Sequence, residues 1–257
     1  SWFQWPINHH LKNQLLEKLR QNLNNYLYIS HEHQDHFDKE TLELIKPMIK
    51  SCIIPNYHDP FLFNQMKSLG YDVISLKENL KHYFNDKDYM ELMIVDTGVN
   101  HDSAAIINLE NKIFVNQNDC KIFDRLSDII SDIEDVDYYA CQYSGANWFP
   151  STYSMDNEEK KKICSKRNIE KFINIYDSII KLKPKNFIAS AGPVCFLDPQ
   201  EEFININEYN FPHADKLFSY LNKRFNKKDI KCNLISPKIG KEINIKNNYF
   251  NIKNIFI

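Results

Sequence analysis

Glycine is scarce: 5 in 257 residues, where average usage near 7% would give about 18. Neither a G-x-G-x-x-G fingerprint nor a G-x-x-x-x-G-K-[ST] loop can be written from them, which removes Rossmann-type dinucleotide binding and P-loop chemistry. Collagen-like repeats and Gly/Ser linkers go too. The six cysteines (52, 120, 141, 164, 195 and 232) form no C-x-x-C pair and several lie in apolar, strand-like runs, so most of them read as buried, reduced thiols. No apolar run approaches the ~18 residues of a membrane span. Ser1-Trp2-Phe3-Gln4-Trp5 has neither the charged nor the apolar region of a signal peptide. Net charge is -2, and no basic stripe with interleaved aromatics is present. The longest basic cluster, Lys160 to Lys162, follows Glu158 and Glu159 on a helical stretch and reads as a solvated face. These absences lead to the expectation of a soluble cytoplasmic protein with no nucleic-acid partner and no membrane partner.

What is present is a core-forming chain, 43% hydrophobic, whose patterns alternate between the two periods of regular structure. Leu11 to Leu23 has helical spacing, and Tyr26 to Ser30 is a short aromatic strand. Helical spacing returns over Lys39 to Ile49, and Cys52 to Pro55, Pro60 to Leu69 and Val73 to Leu76 continue as strand, helix, strand. Three close strands follow, at Met93 to Asp96, Ala104 to Ile107 and Ile113 to Val115, with Glu110-Asn111 as a hairpin turn. Then come a helix at Ile122 to Ile133, a strand at Asp137 to Cys141, a long helix at Glu158 to Lys181, a strand at Asn186 to Ala189 and a helix at Ala214 to Phe225. Cys232 to Ile235, Ile243 to Ile245 and Tyr249 to Ile252 are closing strands. The expected class is α/β, with sheets covered by helices in a single domain over residues 1–257.

The chemistry concentrates at His31-Glu32-His33-Gln34-Asp35-His36, in a strand-to-helix loop. Residues i and i+2 of a strand share a side, so His31 and His33 project together, and Asp35 and His36 turn back toward them. Imidazoles with a carboxylate suit zinc or iron, and two sub-sites would hold a pair of divalent ions.

This His-x-His-x-Asp-His sequence resembles the motif of the metallo-β-lactamase superfamily, whose fold is an αββα sandwich. The resemblance implies that His31, His33 and His101 hold a first metal, Asp35 and His36 a second, and that Asp119 bridges them. Further segments, Gln142-Tyr143-Ser144-Gly145-Ala146-Asn147-Trp148-Phe149-Pro150 and Ser190-Ala191-Gly192-Pro193-Val194-Cys195-Phe196-Leu197-Asp198-Pro199, resemble the lactamase-fold part of the CMP-N-acetylneuraminic acid hydroxylases and their bacterial relatives. Gln142, Tyr143, Ser144 and Trp148 are the candidate substrate-binding residues, since loops after strand ends carry binding groups. For Trp148 the alternative is a packing aromatic; Cys120 and Cys195, near the candidate site, are expected to face the core.

Three departures stand out. Ser190-Ala191-Gly192 occupies the place of the superfamily's last histidine ligand, with His213 as a replacement from the next helix start or a simple turn residue there, and His58 a weaker candidate. No cysteine has a histidine two or three positions on, so the Rieske cluster of such hydroxylases has no ligands here. Only 30 residues precede His31, much of them helical, so some N-terminal strands of the family are expected to be lacking, through truncation, processing or a pared-down fold.

The expected function is metal-dependent hydrolysis. Metal-activated water, oriented by Asp35 or Asp119, would attack an ester, amide or phosphoester of a small anionic, sugar- or nucleotide-like substrate. No G-x-S-x-G elbow offers a serine alternative. The competing reading is an iron-dependent monooxygenase component fed by a separate electron-transfer protein or a further Rieske domain; a third is a binding protein on the same fold. A homo-oligomer is left open.

Overall fold

The computed structural model describes residues 11–98, 100–133, 135–145, 149–150, 152–206, 209–237, 242–243 and 252–254. Trp148 lies outside the described residues. The chain forms two compact units, Ser1–Lys112 with Lys238–Ile257, and Ile113–Pro237.

In the first unit, α1 (Lys12–Gln21) buries Leu16, and the Asn25 side-chain amide donates to the carbonyls of Leu19, Asn22 and Met48 where the chain leaves the helix. Three parallel strands follow: β1 (Tyr26–Tyr28), β2 (Ser51–Pro55) and β3 (Val73–Leu76), in the order β1-β2-β3. β2 is buried at all five positions, as expected for a strand covered on both faces. The crossovers are α2 (Lys39–Ile45) and α3 (Phe61–Ser68). Asp38 caps α2 by accepting from the Thr41 backbone N–H and hydroxyl, which holds its carboxyl below the usual range. Helix geometry changes at Lys46–Met48 to a 3-10 turn containing Pro47, so the helical stretch ends earlier than its periodicity suggested.

An antiparallel meander completes this unit: β4 (Lys81–Tyr83), β5 (Tyr89–Asp96) and β6 (His101–Leu109), with β5 and β6 in register from Tyr89↔Asn108 to Asp96↔His101. Ile53 and Leu76 pack with Met90, Leu92 and Ala105, joining the parallel strands to the meander through a common core. β4 carries no apolar alternation, only Lys-His-Tyr on a short edge, and is not foreseen from the local pattern. Glu110 and Asn111 both adopt left-handed backbone, with φ 53 and 61, as a two-residue primed turn requires.

The second unit is a repeated strand-helix alternation. β7 (Lys112–Asn116), α4 (Leu126–Asp132), β8 (Tyr138–Gln142), α5 (Asn157–Leu182), β9 (Asn186–Ser190), α6 (Ala214–Lys228) and β10 (Asn233–Ile235) follow in order. All three strand pairings, β7 with β8, β8 with β9 and β9 with β10, are parallel. α5 is capped by Asp156, which accepts from Glu158 and Glu159, and it buries a stripe through Cys164, Asn168, Phe172, Ile175, Ile179 and Leu182. Its Lys160 is buried, so the basic cluster is not wholly a solvated face; only Lys161 and Lys162 remain toward water. α4 begins at Leu126 rather than Ile122, because the turns Cys120 to Ile122 and Ile122 to Arg125 use that stretch. Cys52, Cys120, Cys141 and Cys164 are buried as expected, but Cys195 is exposed, outside any strand that would alternate it inward. A two-stranded antiparallel pair, β11 (Glu242–Ile243) and β12 (Ile252–Asn254), is the last element.

Candidate functional site

The loop after β1 turns tightly because the backbone N–H groups of His36 and Phe37 both donate to the His33 carbonyl, at 2.9 and 2.7 Å. That turn folds His36 back over His31, and their ring centroids are 4.2 Å apart; His33 meets His31 edge-on at 4.3 Å. His31 is 1% exposed, while His33 and Asp35 face water. His31 Nε2 and His33 Nδ1 are 2.8 Å apart, within hydrogen-bond distance. Ser30 Oγ sits 3.0 Å from His31 Nδ1 and 3.4 Å from His36 Nδ1, and Asp102 Oδ1 lies 3.4 Å from His31 Nδ1. With Nδ1 facing these acceptors, the ring can carry its proton there and leave Nε2 as a donor atom for a metal. Asp35 Oδ2 approaches His36 Nε2 at 3.5 Å.

The entry to this loop is fixed from two sides. The Ser30 carbonyl accepts from Tyr57 OH at 2.5 Å and from Ser103 Oγ at 3.1 Å, and the Ser103 hydroxyl also bonds Tyr28 OH at 2.7 Å. His101 opens β6 instead of preceding it. Its ring stacks on Tyr57 at 5.1 Å, with Glu32 Oε1 3.5 Å from Nδ1 and Asp96 Oδ1 3.2 Å from Nε2. The approach to Asp96 lacks hydrogen-bond geometry, so among the described residues the buried His101 Nε2 has no hydrogen-bond partner. Asp96 is occupied otherwise, accepting from the backbone of His58 and Gly98. The His58 N–H is the main cause that lowers its carboxyl pKa. His58 thus contributes a backbone contact at this point.

These residues suit a transition-metal ion. The donors are imidazole nitrogens with carboxylates beside them, those of His31 and His36 lie within 4.8 Å of each other, and the buried His101 Nε2 lacks the partner an ion would supply. Asp102 also faces His31, and the strand register that brings it there is invisible in the local sequence pattern.

In the second unit, the loop after β7 carries Asp119. Gln117 is 1% exposed and fixes that loop, accepting from Tyr139 OH at 2.5 Å and donating to the Cys120 carbonyl at 2.7 Å. Gln142 Nε2 donates to Asp119 Oδ1 at 2.8 Å. A Cβ at Gly145 would collide with the Gln142 amide, so this glycine is what lets Gln142 lie over the loop. Tyr143 is 4% exposed, and burial first, then the Asp215 charge, pushes its phenol up to about 12. Ser144 is buried, and among the described residues its hydroxyl has no hydrogen-bond partner. His213 is exposed at the N-cap of α6, with Nε2 3.4 Å from the Asn205 carbonyl.

A cavity of about 420 Å³ opens beyond the carboxyl ends of β7 and β8, lined by Asp119, Gln142, Tyr143 and Gly145, with Lys121, Arg167, Glu170 and Lys171 completing its charged lining. Open parallel sheets place ligands at this end of their strands. The basic residues were not singled out in the sequence. The available signal was Arg167 and Lys171 at i and i+4 on a helix whose adjacent stripe is apolar.

No protein-family model matches the chain. It is 28% identical over 222 residues to a Mycolicibacterium smegmatis protein named as a Rieske 2Fe-2S iron-sulfur protein, covering 84% of this chain and 41% of that one. A Mycobacterium tuberculosis protein of the same name is 30% identical over 212 residues, covering 80% and 40%. The chain therefore spans about two fifths of the length of the curated relatives it matches. Among solved structures, an E377D mutant of CmlA β-hydroxylase, a lactamase-fold protein, superposes with a TM-score of 0.57 at 15% identity, over 83% of this chain and 44% of that one. Strand-end histidines, the element order and this superposition agree: the chain has the metallo-β-lactamase fold.

Proposed function

We propose that this chain is the metal-bearing part of an oxygenase whose electrons come from a Rieske protein or domain. In this reading His31, His33 and His101 hold a first divalent ion, and Asp35 and His36 a second. Asp119 joins them on the strength of the sequence resemblance. The imidazole cluster after β1, with its buried His31, supports the metal. One observation carries the choice of reaction: the matched relatives are named as Rieske 2Fe-2S proteins, and a Rieske cluster is a one-electron carrier. The chain has no C-x-H or C-x-x-H pair of its own.

A bound divalent ion would supply Lewis acidity and a water of lowered pKa, and iron would add dioxygen chemistry. The overall reaction takes one oxygen atom into a substrate C–H bond and releases the other as water, consuming two electrons from the Rieske donor and two protons. Ser30 and Asp102 keep the His31 proton on Nδ1, and Asp35, exposed beside His36, takes or delivers a proton at the face open to water. Hydrolysis is the second reading, because the same imidazole and carboxylate donors equally suit water activation, with Asp35 as the base.

Metal analysis of anaerobically purified protein separates the two. Iron, with an oxygen-sensitive spectrum and substrate-dependent oxygen uptake in the presence of a reduced Rieske donor, is the expected result. Zinc alone, with turnover in the absence of oxygen and of any donor, would establish hydrolysis instead. His33→Ala is expected to lose the metal; unchanged stoichiometry would overturn the ligand assignment.

A further inference from the structure

The cavity of the second unit has a charge pattern that neither the metal nor the fold requires. Three cationic side chains, Lys121, Arg167 and Lys171, line it, and among the described residues none of them makes an ion pair. Arg167 rests over the Phe149 ring at 5.6 Å. Lys171 Nζ gives one hydrogen to the Asn210 carbonyl at 3.2 Å, and an ammonium group has two more. The lysine is held in this position at a cost, since burial, with the charge of Arg167 next, pushes its pKa down to about 8. Asp119 and Glu170 line the same cavity but neither pairs with these three, so the lining keeps more cationic than anionic side chains, and cations gathered without direct partners destabilise a fold unless a ligand neutralises them. Elsewhere the chain does pair its buried charge: Lys185 bonds Asp137 at 2.9 Å.

We propose that this cavity binds a phosphoryl group, with Arg167 and Lys171 as the recognising residues and Lys121 at the rim, so that the substrate of the proposed enzyme is a phosphorylated small molecule. Arg167 and Lys171 are one helical turn apart on α5 and present a planar fork beside a point charge, the combination that recognises a tetrahedral dianion. Asn174, a further residue of the same face, lines the cavity as well and adds a neutral amide. A volume of about 420 Å³ exceeds what a phosphate alone needs, and leaves space for the organic part of a metabolite-sized molecule. The inclusion of this phosphoryl group in the substrate rests on the function proposed above; its binding by this cavity rests on the second unit alone.

The test is calorimetric titration of the metal-free full chain with inorganic phosphate and phenyl phosphate, with acetate as the monoanionic comparison at matched ionic strength. Saturable binding of both phosphates at one site is expected, with acetate at least about tenfold weaker. Arg167→Gln and Lys171→Met should each weaken phosphate by about tenfold or more, a charge-assisted hydrogen bond being lost. Lys171→Arg should retain it and serve as the control that the helix still folds. Equal affinity for acetate, absence of saturable phosphate binding, or unchanged affinity in both folded variants would each overturn the assignment. Metal content is measured on separate samples, so loss of the metal reading leaves this result standing and the reverse holds as well.

Discussion

The two units solve the problem of gathering charged and polar groups in opposite ways. The histidine loop of the first unit draws most of its donors from six consecutive residues and needs distant chain only to hold them still. The cavity of the second draws its lining from the β7 loop, the β8 loop and the middle of α5, none of which stands out alone. The first gathers imidazole nitrogens, which suit a cation; the second gathers cationic side chains in excess of its carboxylates, which suit an anion. The comparison teaches that local density of chemistry and assembly by topology yield sites equally well, but only the first leaves a mark in a single stretch of sequence.

The sharpest way to break this comparison is at the histidines. His33→Ala should lower metal affinity by on the order of 100-fold or more, measured by chelator competition, and leave phosphate titration unchanged. The reciprocal substitution, Arg167→Gln with Lys171→Met, should abolish measurable phosphate binding while metal stoichiometry stays at the wild-type value. A smaller effect is expected at Asp102→Asn, which keeps the shape but removes the charge facing His31 Nδ1; metal affinity should fall about tenfold. Equal metal retention there would mean that Ser30 alone orients the ring.

The smallest expected effect is a pH dependence. Lys171 shares its cavity with Arg167, Lys121, Asp119 and Glu170, and its pKa of about 8 means that it is charged below that pH and neutral above it. Affinity for sulfate, which does not titrate in this range, should therefore fall severalfold as pH rises from 7 to 9, and binding near pH 8 should take up protons. Titration in two buffers of different ionisation enthalpy reads that uptake directly. A flat profile would place the anion on Arg167 without its neighbour.

Much of the fold was legible because its elements are strongly patterned. β3 and β9 matched to within a residue, and the Glu110-Asn111 turn was readable because Asn tolerates left-handed backbone. β4 was not, since His82 alone of its three edge residues is half-buried, too little to create alternation. The start of α4 was misplaced because Ile122 and Leu126, both fully buried, mimic a helical spacing while serving a turn and a helix respectively. At the candidate site, His31, His33 and His36 were readable from spacing. Asp102 was not, because its approach to His31 depends on the packing of β6 beside the β1 loop. Lys171 was not, because a lysine in an amphipathic helix ordinarily points to water, and only the fold turns this one into a cavity.

The hydrogen bonds onto the Ser30 carbonyl have a consequence for how the ion and the fold depend on each other. Tyr57 and Ser103 fix that carbonyl through groups that no metal would touch. The loop's starting point is thus settled by the β2 and β6 strands before any ion arrives, unlike zinc fingers, whose apo forms are unfolded. A metal bound at this loop would be a passenger that the architecture could lose and regain. Chelation should leave a folded protein that reloads rapidly, with its melting temperature displaced only by the mass-action term of the vacated site.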